Sequence, residues 1–309
     1  MSRIDKALQA WEKAAGAVAA RPEPEAHDAK GTPGFGLNGY GREDGRVVSP
    51  PPATSNGNGA APSPAPEVRP RIATQFVATP QVTPDVQARL VSDGAGTVPL
   101  EQYRRLAATL HDVQQQQGLK TLMLTSALPG EGKTLTTVNL ALTLSGSYDR
   151  RVLVIDADLR WPSVHRMLGV ANDAGLSEAL QSDRVELPVK QVLPRLSVLT
   201  AGRPDVTPLA GLTSARMASL VEQCASQFDW VLLDTPPVGL LPDAQLLARL
   251  TRAVVFVIAS GTTPASAVTR AIAELGNDCV IGTVLNRVNE RQIPQAGYYS
   301  RYYQAQDLE

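Results

Sequence analysis

Six short apolar runs, preceded and separated by helical patterns, constrain this chain more than any other feature. They are 120–125 (KTLMLT), 152–156 (VLVID), 196–200 (LSVLT), 229–233 (DWVLL), 253–259 (AVVFVIA) and 279–285 (CVIGTVL). Helical patterns fall at 100–117, 133–146, 214–227, 241–250 and 264–276. Continuous apolar strands alternating with helices predict an α/β fold: a mostly parallel sheet with helices on both faces.

The first run leads into Ser126-Ala-Leu-Pro-Gly-Glu-Gly-Lys-Thr134, and a helix follows. A Gly-rich turn between strand and helix is the context of a P-loop, so the expected fold is P-loop NTPase-like. Gly130 and Gly132 let the backbone turn its N–H groups toward phosphate oxygens. Lys133 supplies a point charge for the β- and γ-phosphates, and Thr134 a hydroxyl for Mg²⁺; Glu131 and Leu135 complete the nucleotide-binding stretch. Ala127 stands where the common pattern has its first Gly. Two further runs end in acids, Asp156 and Asp158 after one and Asp234 after another. Open α/β sheets bind ligands at the carboxyl ends of their strands. Three carboxylates gathered there call for a cation, and Mg²⁺ carrying ATP supplies it.

The rest of the chain divides by composition. Residues 1–20 place Ile4, Leu8, Trp11, Ala15 and Val18 at helical spacing, a short amphipathic helix. Residues 21–70 hold ten of the 24 prolines and eight of the 24 glycines, too little apolar surface to offset ordering. The stretch 21–98 is therefore read as a disordered linker, although Ile72–Val77 has β character. The folded domain is expected over 99–290 and a tail over 291–309. Four of the seven tyrosines, Tyr298, Tyr299, Tyr302 and Tyr303, lie in the last twelve residues, among Gly297, Ser300, Arg301, Gln304 and Gln306, which indicate a solvated segment. A net charge of -1 argues against a nucleic-acid partner. Cys224 and Cys279 lie in no metal-binding spacing and are expected to be buried free thiols. No run approaches the roughly 20 apolar residues of a membrane span, so a cytoplasmic location is expected.

SALPGEGKT (126–134), DADLRWPSVH (156–165) with GLSEAL (175–180), LLDTPP (232–237) and the tyrosine cluster resemble the bacterial tyrosine kinases of exopolysaccharide and capsule synthesis. The resemblance covers roughly residues 100–305. It implies an ATP-dependent protein-tyrosine autokinase that phosphorylates its own tail. Asp156 would take the tyrosine proton, Asp158 and Asp234 would hold Mg²⁺ with Thr134, and Lys133 would act on the phosphates. Arg160 would orient acidic groups, and Asn286, in the LNR at 285–287, would meet the adenine. The resemblance also implies a membrane polysaccharide co-polymerase as activator, recruitment to the inner face of the membrane, and homo-oligomers formed by tail docking. Members carry a Glu-x-x-Arg-x-x-Arg assembly motif; here Glu101 and Arg104 match, but Ala107 replaces the second Arg.

Two other readings compete. A partitioning-type P-loop ATPase would have a lysine early in the loop, where this chain has Leu128. A nucleotide-gated scaffold without kinase turnover would not need Lys133, Thr134 and the three aspartates together.

Overall fold

A computed structural model describes residues 71–77, 83, 87–91, 97–181 and 186–289. The expected helix at 1–20, most of the linker and the tail tyrosines lie outside these. The elements in chain order are β1 (Arg71–Phe76), α1 (Thr97–Gln117), β2 (Thr121–Ser126), α2 (Lys133–Gly146), β3 (Val152–Asp156), α3 (Val164–Leu168), α4 (Leu176–Gln181), β4 (Glu186–Leu193), β5 (Leu196–Leu199), α5 (Leu209–Leu212), α6 (Ala215–Gln227), β6 (Trp230–Asp234), α7 (Asp243–Thr251), β7 (Val254–Ala259), α8 (Ala265–Leu275) and β8 (Val280–Asn286).

All eight strands form one sheet in the order β1-β4-β5-β3-β6-β2-β7-β8. Every pairing is parallel except β4 with β5, an antiparallel pair joined by a tight turn at Pro194-Arg195. The predicted parallel architecture is present, and β1 and β4 run against the other six strands. The central strands are apolar throughout because both faces are covered. Leu122–Leu124, Leu153–Ile155 and Val231–Leu233 are all fully buried, and each such leucine contributes roughly 1.5–3 kcal/mol of transfer free energy.

α2 is the most buried helix, with ten of its residues inside, and it carries polar side chains into the core. Thr137 and Thr143 satisfy their hydroxyls on the carbonyls of Lys133 and Asn139, at 2.9 Å each. Asn139 reaches outward. Its Oδ1 accepts from Val91 N at 3.0 Å and its Nδ2 donates to the Arg89 carbonyl at 3.2 Å.

These contacts correct the expected boundary. β1 lies inside the stretch read as linker, yet it pairs with β4 from Arg71↔Glu186 to Phe76↔Gln191. Val91 is buried, so the folded unit starts well before residue 99. An edge strand needs little apolar surface of its own, which is why RIATQF reads weakly. Two smaller differences concern single residues. Cys224 is buried, but Cys279 is only half-buried. Ala107 on α1 is fully buried in the core, while Glu101 and Arg104 pair with each other at 2.6 Å. Position 107 faces inward and has no room for an assembling arginine.

Candidate active site

The site lies at the carboxyl ends of the adjacent strands β3, β6 and β2. Residues 127–132 turn from β2 into α2. Gly130 and Gly132 have φ of 78° and 96°, the left-handed region that favours glycine. At Gly132 a Cβ would also sit 2.0 Å from Asn286 Nδ2, so two independent constraints demand glycine there.

α2 starts at Lys133, which places Lys133 and Thr134 in its first turn. Lys133 Nζ lies 3.0 Å from Asp158 Oδ2, with both side chains largely out of solvent. Thr134 Oγ1 donates to Asp234 Oδ2 at 2.7 Å and lies 3.0 Å from Ser163 Oγ. Thr137, one turn on, reaches Asp234 Oδ1 at 3.3 Å. Asp156 and Asp234 are register partners on β3 and β6, both fully buried. Asp156 Oδ2 accepts the backbone N–H groups of Ser163 and Val164 at 3.0 Å each, and its Oδ1 that of Asp158 at 3.3 Å.

Burial sets the electrostatics. Desolvation pushes Asp156 well above the ordinary carboxyl range, and the neighbouring charges of Asp234 and Asp158 add to it against the backbone donors. Desolvation likewise raises Asp234, although Lys133 and the Thr134 hydroxyl oppose it. For Lys133 burial acts downward but is outweighed by Asp234 and Asp158, so the ammonium is held more firmly than usual. The centre is an ammonium ringed by three carboxylates, two of which are reluctant to ionise together. Such a centre gains from an added cation. Thr134, Asp234 and Asp158 form an all-oxygen donor set suited to Mg²⁺, which commonly takes one or two carboxylates and completes its shell from phosphates. Among the described residues no group of three or more His, Cys, Asp or Glu is arranged to cage a metal.

The remaining candidates serve the loop and its surroundings. The Glu131 carboxylate accepts from Leu128 N at 2.6 Å, from Ala259 N at 3.3 Å and from the Thr263 hydroxyl, tying the loop to the end of β7. Asn286 Nδ2 donates to the Glu131 carbonyl at 2.8 Å, and Arg287 to that of Gly130. Leu135 follows Thr134 in the first turn of α2, half-buried. Arg160 does not reach Asp156 or Asp158. It forms a two-pronged pair with Asp243 at the start of α7, at 2.8 and 3.3 Å, and donates to the Val206 carbonyl at 2.6 Å.

Sequence reasoning singled out Lys133, Thr134, Asp156, Asp158 and Asp234, and the fold brings all five together. It missed Ser163, Thr137, Thr263, Arg287 and Asp243. Ser163 lay inside the DADLRWPSVH stretch, Arg287 inside the LNR at 285–287, and Asp243 follows the proline that opens α7; Thr137 and Thr263 carry no local signal.

Strand order, loop and strand-end carboxylates define a P-loop NTPase. The family model described as ParA, NUBPL iron-transfer P-loop NTPase, matches residues 119–279. Among curated relatives, tyrosine-protein kinase YwqD of Bacillus subtilis (strain 168) is 34% identical over 203 residues, 64% of this chain and 85% of that protein. Putative tyrosine-protein kinase CapB of Staphylococcus aureus is 28% identical over 216 residues, 66% and 89% of the two chains. The solved kinase domain of Escherichia coli tyrosine kinase ETK superposes with a TM-score of 0.57 at 30% identity, covering 62% of this chain and 77% of that one. The chain belongs to the bacterial tyrosine-kinase family of P-loop proteins.

Proposed function

We propose that this chain binds Mg·ATP at the P-loop and transfers the γ-phosphoryl group to tyrosine, including Tyr298, Tyr299, Tyr302 and Tyr303 of its own tail. The observation that carries the reading is the convergence of two contacting pairs, Lys133 with Asp158 and Thr134 with Asp234, beside the buried Asp156. Lys133, now paired with Asp158, would turn to phosphate oxygens of the bound nucleotide. Thr134, Asp158 and Asp234 would hold Mg²⁺, which would supply charge neutralisation. Asp156 has the raised proton affinity that suits a base accepting the phenolic proton, once the backbone donors on its Oδ2 yield. Gly130 and Gly132 shape the phosphate cradle, Glu131 braces it, Leu135 supports it in α2, and Asn286 borders it on the side expected for the base.

The same reading assigns the chain to exopolysaccharide synthesis and export. No described helix is long and apolar enough to cross a membrane. A separate membrane co-polymerase that activates the kinase and draws it to the inner face of the membrane fits the motifs. Copies associate through tail docking.

The test is incubation of the purified full chain with Mg·ATP and mass mapping of phosphotyrosine, compared with Lys133→Met. The variant should keep its circular-dichroism spectrum and lose labelling by about two or more orders of magnitude. Near-wild-type labelling of a folded Lys133→Met protein would sink the assignment.

A further inference from the structure

The loops that leave β5, β3 and β6, three adjacent strands, each carry an exposed large apolar side chain: Val206, Trp161 and Leu240. Their exposures are 81%, 66% and 54%. A single exposed apolar residue is ordinary; three on neighbouring loops at the carboxyl edge of the sheet are not. The loops are also tied to one another and to the site. The backbone N–H of Trp161 donates to Asp158 Oδ1 at 3.1 Å, so the main chain that carries the indole is tied to the carboxylate that holds Lys133. Arg160 links the Trp161 loop to the Val206 carbonyl and to Asp243, three residues beyond Leu240. Asp205 N closes the ring on the Leu159 carbonyl at 2.9 Å.

We infer that Trp161, Val206 and Leu240 form an apolar rim that docks the tyrosine-bearing tail segment 297–303 for phosphoryl transfer. The inference rests on the tyrosine-kinase reading above. A phenol that reaches the phosphate near Lys133 must thread past the strand-end loops, so the residues beside it lie on the rim. The segment reads Gly-Tyr-Tyr-Ser-Arg-Tyr-Tyr. In an extended peptide neighbouring side chains point to opposite faces. When one tyrosine of a pair enters the site, the other is turned to the rim, where an indole face and two aliphatic groups can cover it. The tail also starts in the right place. β8 ends at Asn286 on the same edge of the sheet, four strand spacings from β3, or about 19 Å. Eleven residues lie between Asn286 and Tyr298, and the twelve steps span up to about 40 Å when extended. Trp161 is thereby a positioning and specificity residue for the acceptor, with no part in holding the nucleotide.

The experiment uses the full chain with Tyr298, Tyr299, Tyr302 and Tyr303 all replaced by Ser, so that the tail does not compete. A fluorescent peptide of residues 296–304 is titrated by anisotropy with a non-hydrolysable Mg·ATP analogue present. On this background Trp161→Ala should weaken peptide binding about tenfold or more, and Val206→Ser and Leu240→Ser severalfold. Trp161→Phe should stay within about threefold. Mg·ADP affinity should be unchanged in all four. A peptide with all four tyrosines replaced by Phe should bind as well as the native one, and a Ser version should not. Unaltered peptide affinity in Trp161→Ala overturns the inference. So does a parallel loss of Mg·ADP affinity, which would make Trp161 a support of the nucleotide site. Trp161-dependent self-association without peptide binding overturns it in favour of a contact between copies. Trp161-dependent peptide binding with no phosphotyrosine formed upholds the rim while the kinase reading falls.

Discussion

At the scale of single residues, burial governs the centre. Asp234 is fully buried, and desolvation raises its pKa despite Lys133. A carboxyl whose folded pKa lies above its unfolded value of 3.8 favours folding most below that value. Its contribution is lost as pH rises through the raised folded value. The nucleotide-free protein should therefore lose stability as pH climbs from about 4 through the raised pKa of Asp234. Asp234→Asn keeps the acceptor for the Thr134 hydroxyl and removes the charge. It should flatten that slope and raise the melting temperature at pH 7, while Mg²⁺-dependent nucleotide binding falls by an order of magnitude or more. Thermal melts across pH 4–8, with and without Mg·ADP, check this. A variant less stable than wild type at pH 7 would contradict it.

At the scale of elements, the segment before α1 is structural. Removing residues up to 96 strips β1 from β4 and deprives the Asn139 amide, 2% exposed, of both its partners, Val91 N and the Arg89 carbonyl. A buried amide left unpaired costs about 1–3 kcal/mol before any loss of sheet. A chain starting at Val68 should melt with the full protein. One starting at Thr97 should melt at least about 5 °C lower. Equal melting of the two shortened chains by calorimetry would show that β1 and residues 87–91 are dispensable. The loop–strand brace is the other element-level feature. Glu131, Asn286 and Arg287 join residues 128–132 to the ends of β7 and β8, so the phosphate cradle is positioned by two strands besides the one it follows.

At the scale of the whole molecule, the proposed tail docking predicts a coupling of chemistry to assembly. Each phosphate adds about -1.5 to -2 charges at neutral pH. Two on adjacent tyrosines repel each other and the carboxylates of the site. The unphosphorylated chain, with ATP and an activator, should self-associate more than the fully phosphorylated one, and the variant with all four tail tyrosines replaced by Phe should remain associated. Analytical ultracentrifugation of the three proteins reads this directly. Identical assembly in all three would remove the tail as a switch.

The sequence by itself determined the parallel architecture and the candidate site groups, because both are written locally. Apolar runs of strand length flanked by helical patterns imply a covered parallel sheet, and a Gly-rich turn between strand and helix implies a phosphate cradle. Acids that end such strands must share its edge, so Lys133, Thr134, Asp156, Asp158 and Asp234 could be named before any coordinates. Only the tertiary structure decided what these groups touch. Arg160 meets Asp243 across 83 positions and Glu131 meets Thr263 across 132, separations at which no spacing rule operates. β4 escaped notice because Pro188, Lys190 and Gln191 interrupt its apolar residues, β1 was seen only as β character within the linker because an edge strand needs little apolar surface, and Ala107 turned inward because α1 packs on the core. The rim of Trp161, Val206 and Leu240 exists only because strand order sets β5, β3 and β6 side by side. Hydrophobic periodicity is a property of neighbours in the chain, whereas partners and surfaces are properties of neighbours in space.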